Sequence, residues 1–236
     1  MPRQDGQKMI FMPCHWRTGS TLLKTVFEKC GMLDCYKVVG HDGEFEYSVD
    51  NVGWQFYYKG YSKEQEDKAR RLLNLFRESC EKLGRYGIKV SHAIQGPSWQ
   101  YLQPVVEECW PDVRYVISIR HPWGIVRSID KLRKLGPLDP PLPVEDILAS
   151  WKSTFLPTKE LIEKGRATIV VFPDDFISGR IKSIPKQLGL RWNKSANIFD
   201  HTKFDVPSEE EKEVFEKQYP ISASMFKALQ NAEFVR

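Results

Sequence analysis

Two rhythms of apolar residues run through this chain. Short runs that are apolar almost without interruption, Met9 to Pro13, Gly87 to Ser91, Val113 to Ile119 and Ala167 to Phe172, read as buried strands. The run Val-Arg-Tyr-Val-Ile-Ser-Ile is the strongest of them, because β-branched residues fit a pleated interior surface. Between the runs the apolar positions recur at helical spacing. Helices are predicted from about Ser20 to Cys30, Ser62 to Gly84, Ser98 to Cys109, Pro122 to about Leu135, Val144 to Lys164, and over most of Asp174 to Leu188. Ser208 followed by three glutamates sets up one more N-capped helix in a polar tail. Gly40 to Tyr61 has no clean period and reads as a long functional loop with short pieces. Gly136 to Pro143, with four prolines, is a stiff connection. Strands that alternate with helices predict an α/β fold: a central parallel sheet with helices on both faces, a three-layer sandwich whose ligands bind beyond the carboxyl ends of the strands.

Composition narrows this picture. The 236 residues, 41% hydrophobic, suffice for one globular domain spanning 1–236, with 40–61 and 136–143 as loops on the substrate side. Thirty-five basic residues against 31 acidic give a net charge of +4, too balanced for a polyelectrolyte binder. No dense basic block is interleaved with aromatics, so no nucleic-acid partner is expected. No signal-peptide core and no run of eighteen apolar residues occurs, so no membrane partner is expected either. The five cysteines (14, 30, 35, 80 and 109) lack metal-type spacing and read as reduced, packed thiols, with a cytoplasmic location as the default. Seven Trp and thirteen Phe read mainly as packing, with some left to wall a nucleotide base or a substrate.

Two turns carry the candidate chemistry. The first, Pro13 to Leu23, lies between a predicted strand and a predicted helix, where backbone amides and the helix N-terminus favour an anion. Gly19 permits close approach of the backbone, while Ser20 and Thr21 can cap the helix and offer hydroxyls. A nucleoside-triphosphate loop of the Walker type needs Gly-Lys-Ser/Thr; here Ser20 takes the lysine position and the positive charge comes earlier, at Arg17. In the second turn Arg120 closes the strongest strand, Pro122 opens a helix, and Ser128 follows Arg120 by eight residues, two turns into that helix. Arg and Ser converging there would clamp a phosphate monoester.

Arg17-Thr18-Gly19-Ser20-Thr21-Leu22-Leu23 resembles the 5′-phosphosulfate loop of the sulfotransferase family, Arg/Lys-Ser-Gly-Thr-Thr. Arg120-His121-Pro122 with Ser128 resembles the family's 3′-phosphate loop, Arg-x-Pro-x5-Ser. Val170 to Phe176 is similar to a later strand ending in an acidic pair, and Leu188-Gly189-Leu190 to the Leu-Gly-Leu after it. The likeness covers about residues 8 to 192. It is nearer the bacterial-style and carbohydrate-type members than the cytosolic drug and steroid enzymes, whose Arg-Lys-Gly signature is absent.

The resemblance implies a P-loop-type fold and sulfuryl transfer from 3′-phosphoadenosine-5′-phosphosulfate (PAPS), without a metal, to a small-molecule or carbohydrate acceptor, leaving 3′-phosphoadenosine-5′-phosphate (PAP). On this reading Arg17 stabilises the leaving oxygen, Thr18, Gly19, Ser20 and Thr21 hold the 5′ end, and Arg120 and Ser128 fix the 3′-phosphate. The general base is open between His92, at the end of the second strand, and Glu44 or Glu46, which lie twenty-seven and twenty-nine residues after Arg17. A P-loop kinase with a degenerate loop and a non-catalytic nucleotide-binding module are the competing readings.

Overall fold

The computed structural model describes residues 9–32, 37–39, 46–48, 62–83, 87–91, 94, 98–135, 142–200, 202, 204 and 206–232. In chain order the first elements are β1 (Ile10–Cys14), α1 (Ser20–Lys29), β2 (Lys37–Val39), β3 (Glu46–Ser48), α2 (Lys63–Leu83) and β4 (Gly87–Ser91). There follow α3 (Ser98–Cys109), β5 (Arg114–Arg120), α4 (Pro122–Leu135), α5 (Val144–Lys152), α6 (Phe155–Glu163) and β6 (Ala167–Phe172). Short helices α7 (Asp174–Ile177) and α8 (Ile184–Gln187) lead to the closing pair, α9 (Glu209–Gln218) and α10 (Pro220–Asn231).

The four strands expected from the apolar runs form one parallel sheet in the order β4-β1-β5-β6. Their side chains alternate between two cores, as the period of two in a strand requires. Odd positions such as Phe11, Tyr115, Ile117, Ile119, Ile169 and Val171 pack with Trp99 and Leu102 of α3 and Ile147 and Trp151 of α5. Even positions, Ile10, Met12, Val116, Val170 and Phe172, pack with Leu23, Val26 and Phe27 of α1. Both faces are therefore covered, which is why the runs are apolar throughout instead of alternating with polar residues. The α/β sandwich with a central parallel sheet is the architecture the sequence implied. Among the described residues no helix is long and apolar enough to cross a membrane. Cys14, Cys30 and Cys109 are buried and form no disulfide.

One helix expectation is corrected and two are refined. The stretch 144–164 is two helices: the hydroxyls of Ser153 and Thr154 turn back to donate to the carbonyls of Ser150 (2.6 Å) and Trp151 (2.7 Å), and Pro157 has no N–H for the carbonyl four residues earlier. The stretch 174–188 breaks into α7, a 3-10 turn at Arg180–Lys182 and α8, because Gly179 is left-handed (φ 79°) and Pro185 restarts the chain. In the tail, Ser208 forms the expected capping box with Glu211, but a further helix, α10, follows it after a break at Tyr219. Within Gly40 to Tyr61 only β3 is described, and it pairs antiparallel with β2, which precedes that stretch.

The closing helices fasten onto the start of α4. Arg127 pairs with Glu211, and the ring of His121, 8% exposed, sits 5.3 Å from Phe215 and 5.2 Å from Phe226. Burial first, and then Lys212, lower the pKa of His121 from 6.5 to about 4; Lys227 acts with them, and Glu216 and Glu209 against them. The folded state thus resists a proton that the unfolded chain accepts, so stability is intact above pH ~6.5 and falls as the pH drops from there toward 4. Thermal melts across that window should lose less in His121→Phe than in wild type. Parallel curves would show that another group titrates.

Candidate functional site

Strands β1, β5 and β6 end side by side at Cys14, Arg120 and Phe172, and the segment His15–Gly19 crosses that end before entering α1. Arg17 (φ 62°) and Gly19 (φ 81°) are left-handed while Thr18 between them is not, an alternation that curls successive amides toward one side. Glycine is required at 19 for a second reason: a Cβ there would stand 2.4 Å from the ring of Phe172. Gly19, and not Ser20 or Thr21 as expected, is the N-cap of α1, and no side chain caps the helix. The first-turn amides have no carbonyl a turn earlier to bind, so they remain available to a ligand.

The carbonyls of this loop are all held elsewhere. His15 O accepts from Thr18 Oγ1 (2.8 Å), Trp16 O from His15 Nδ1 (2.8 Å), Arg17 O from Arg120 Nη1 (3.2 Å) and Thr18 O from Ser118 Oγ (2.5 Å). A carbonyl only accepts, so His15 carries its proton on Nδ1, and Nε2 is left to accept from Ser150 Oγ at 3.3 Å. Gly19 O accepts from Leu23 N as the first bond of α1 (3.0 Å). Acceptors of the loop are consumed within the protein, and an anion meets donors.

A cavity of about 400 Å³ opens here, a size within the usual range for small-molecule sites. Arg17, Gly19, Ser20, Thr21, Arg120 and Ser128 all line it, so the two motifs converge on one space. Arg17 Nε donates to Ser128 Oγ at 2.9 Å, joining them directly. Arg120 is 4% exposed, lies over the Phe172 ring (5.3 Å), and is given room by Gly124, where a Cβ would come within 2.8 Å of its Nε. Burial draws the Arg17 guanidinium below its ordinary pKa, although a guanidinium stays charged near neutrality. Thr18 is buried and is not among the residues that line the cavity; its hydroxyl serves the loop.

Leu22, Thr25, Phe172 and Phe204 complete the wall and were not singled out from the sequence. Phe204 stacks on Phe199 at 5.2 Å and meets Phe172 edge-on at 5.1 Å, so the apolar wall is a packed aromatic cluster. A second cavity of about 220 Å³ shares Arg120 and Phe172 with the first and extends to His121, Asp174 and Lys212. The acidic pair divides there. Burial raises the pKa of Asp174, while Asp175 accepts from Val171 N (2.7 Å) and from Arg180 Nε (2.7 Å) and Nη2 (3.2 Å) as a structural tie.

Glu44 and His92 lie outside the described residues, as does the side chain of Glu46, whose backbone pairs with Val39 in the β2–β3 hairpin. Ser91, the last residue of β4, stands level with Cys14.

The chain is thus an α/β fold with a central parallel sheet, its donor-lined turn and cavity lying beyond the carboxyl ends of the strands, where such sheets bind ligands. Two solved structures share this fold over almost the whole chain. The sulfotransferase domain of the Synechococcus PCC 7002 olefin synthase is 17% identical, with a TM-score of 0.51, over 97% of this chain and 90% of that one. The sulfotransferase domain of the curacin biosynthetic pathway is 12% identical, with a TM-score of 0.55, over 92% and 98%. No family model and no curated protein sequence matches the chain. The fold is that of sulfotransferase domains.

Proposed function

We propose that this chain is a PAPS-dependent sulfotransferase, acting as one domain and passing a sulfuryl group in line to a hydroxyl or amine of a small-molecule or carbohydrate acceptor. The observation that carries the reading is the single cavity lined by Arg17, Gly19, Ser20, Thr21, Arg120 and Ser128. Its chemistry fits an adenosine bearing phosphate at two positions. Amides of the left-handed turn and the hydroxyls of Ser20 and Thr21 would hold the 5′ end, with Arg17 beside them. Arg120 and Ser128 would hold the 3′-phosphate, and the rings of Phe172 and Phe204 offer a flat apolar wall to the base. The donor supplies the sulfuryl group and a nucleotide leaving group. Arg17 stabilises the charge that grows on the departing oxygen.

A base must take the acceptor's proton. His92, which follows directly on Ser91 in the sequence, and the carboxylates Glu44 and Glu46 remain the candidates, and His92 is the one tested first.

Thermal-shift titration with PAP against ATP tests the donor class. Stabilisation by PAP that exceeds any by ATP is the expected result; a response to ATP alone would end the reading. With a labelled donor and an acceptor found by screening, His92→Ala should abolish the acidic limb of the pH–rate profile, where a protonated base cannot accept the acceptor's proton, and an unchanged profile would pass the role to the carboxylates.

A further inference from the structure

Ser118 is out of place in its strand. It is 3% exposed in the middle of β5, between Ile117 and Ile119, where both faces of the sheet are covered. The backbone of β5 pairs with β1 on one side and β6 on the other, so the ladder makes no use of the hydroxyl. A buried hydroxyl costs stability unless it is bonded. Its partner here is the Thr18 carbonyl, 2.5 Å away and one hundred positions distant in the chain. On the α1 side of β5 the residues run Val116, Ser118, Arg120: the first packs in the core, the second reaches under the loop, and the third lines the cavity.

The peptide linking Thr18 to Gly19 is planar and trans, so its carbonyl and its N–H point in opposite directions. With the carbonyl drawn down to β5, the Gly19 amide is turned away from the strand, and Gly19 is part of the cavity wall. The neighbouring peptide is fixed likewise, because Arg120 holds the Arg17 carbonyl and so turns the Thr18 amide. Without the Ser118 hydroxyl the Thr18 carbonyl would be left buried with no donor from the strand. Rotation of that peptide would then relieve it and present an oxygen where an anion needs an N–H.

We propose that Ser118 is a positioning residue for anion binding: its hydroxyl sets the peptide plane that aims the Gly19 amide into the cavity. The inference deepens the donor reading above, since it says which group orients the amides that receive the 5′ end.

Calorimetric titration of wild type, Ser118→Ala, Ser118→Cys and Ser118→Thr with PAP, and separately with inorganic pyrophosphate, tests it. Ser118→Ala should weaken both ligands by about tenfold or more at a temperature where it is fully folded, the scale of one buried hydrogen bond. Ser118→Thr, which keeps the hydroxyl, should bind more tightly than Ser118→Cys, and that comparison stands if the alanine variant does not fold. A role confined to packing would lower the melting temperature of Ser118→Ala and leave both affinities within twofold of wild type, which overturns the proposal. Wild type that binds pyrophosphate but not PAP would refute the donor reading alone, and the variants would still be judged on pyrophosphate. Wild type that binds neither refutes both.

Discussion

Arg17→Ala is expected to lower turnover at saturating donor by about a hundredfold to a thousandfold, the loss seen when one preorganised donor to a developing oxyanion is removed. The side chain is exposed, but its Nε–H is held on Ser128, so little reorganisation is needed when charge develops. Arg17→Lys should recover only part of the rate, because an ammonium has no planar fork to serve Ser128 and the reacting group together. Single-turnover measurement with a labelled donor separates this from binding: the chemical step should fall while PAP affinity changes far less. A rate within threefold of wild type would remove Arg17 from the reaction.

Arg120→Ala should act on binding, weakening PAP by about a hundredfold or more, as truncating one partner of a buried charge pair costs roughly 2–5 kcal/mol. Two losses combine. The 3′-phosphate loses its cation, and the Arg17 carbonyl loses the Nη1 donor that steadies a left-handed residue. The diagnostic comparison is with AMP, which has no 3′-phosphate. Wild type should prefer PAP strongly, and in the variant most of that preference should disappear. If the ratio of PAP to AMP affinity is unchanged, Arg120 does not read the 3′-phosphate.

The parts of this protein that obey a period were legible in its sequence. The four strands of the sheet fell where the apolar runs placed them, since a strand buried on both faces has few alternatives. The turns at Arg17 and Arg120 were legible because residue types with a chemical purpose stand at fixed offsets from a strand end and a helix start. What escaped depends on contacts between segments distant in the chain. Ser118 looked like a lapse in an apolar run, and its partner is known only when loop and strand are brought together. His15 gave no signal, because its bond to Ser150 comes from a helix far along the chain. Phe172 and Phe204 were two phenylalanines among thirteen. The single helix expected over 144–164 failed for a local reason: Ser153, Thr154 and Pro157 interrupt it together, while the apolar spacing carries on across the break.

The parity of β5 has a consequence for insertions and deletions. Loss of one residue between Val116 and Ser118 would slide the end of the strand by a single step and exchange its two faces. An isoleucine would then lie beneath the Arg17 turn, and the guanidinium of Arg120 would be driven among the tryptophans on the opposite side. Length here is held as tightly as identity: a substitution alters one face at one position, whereas loss of one residue exchanges both faces from that point on.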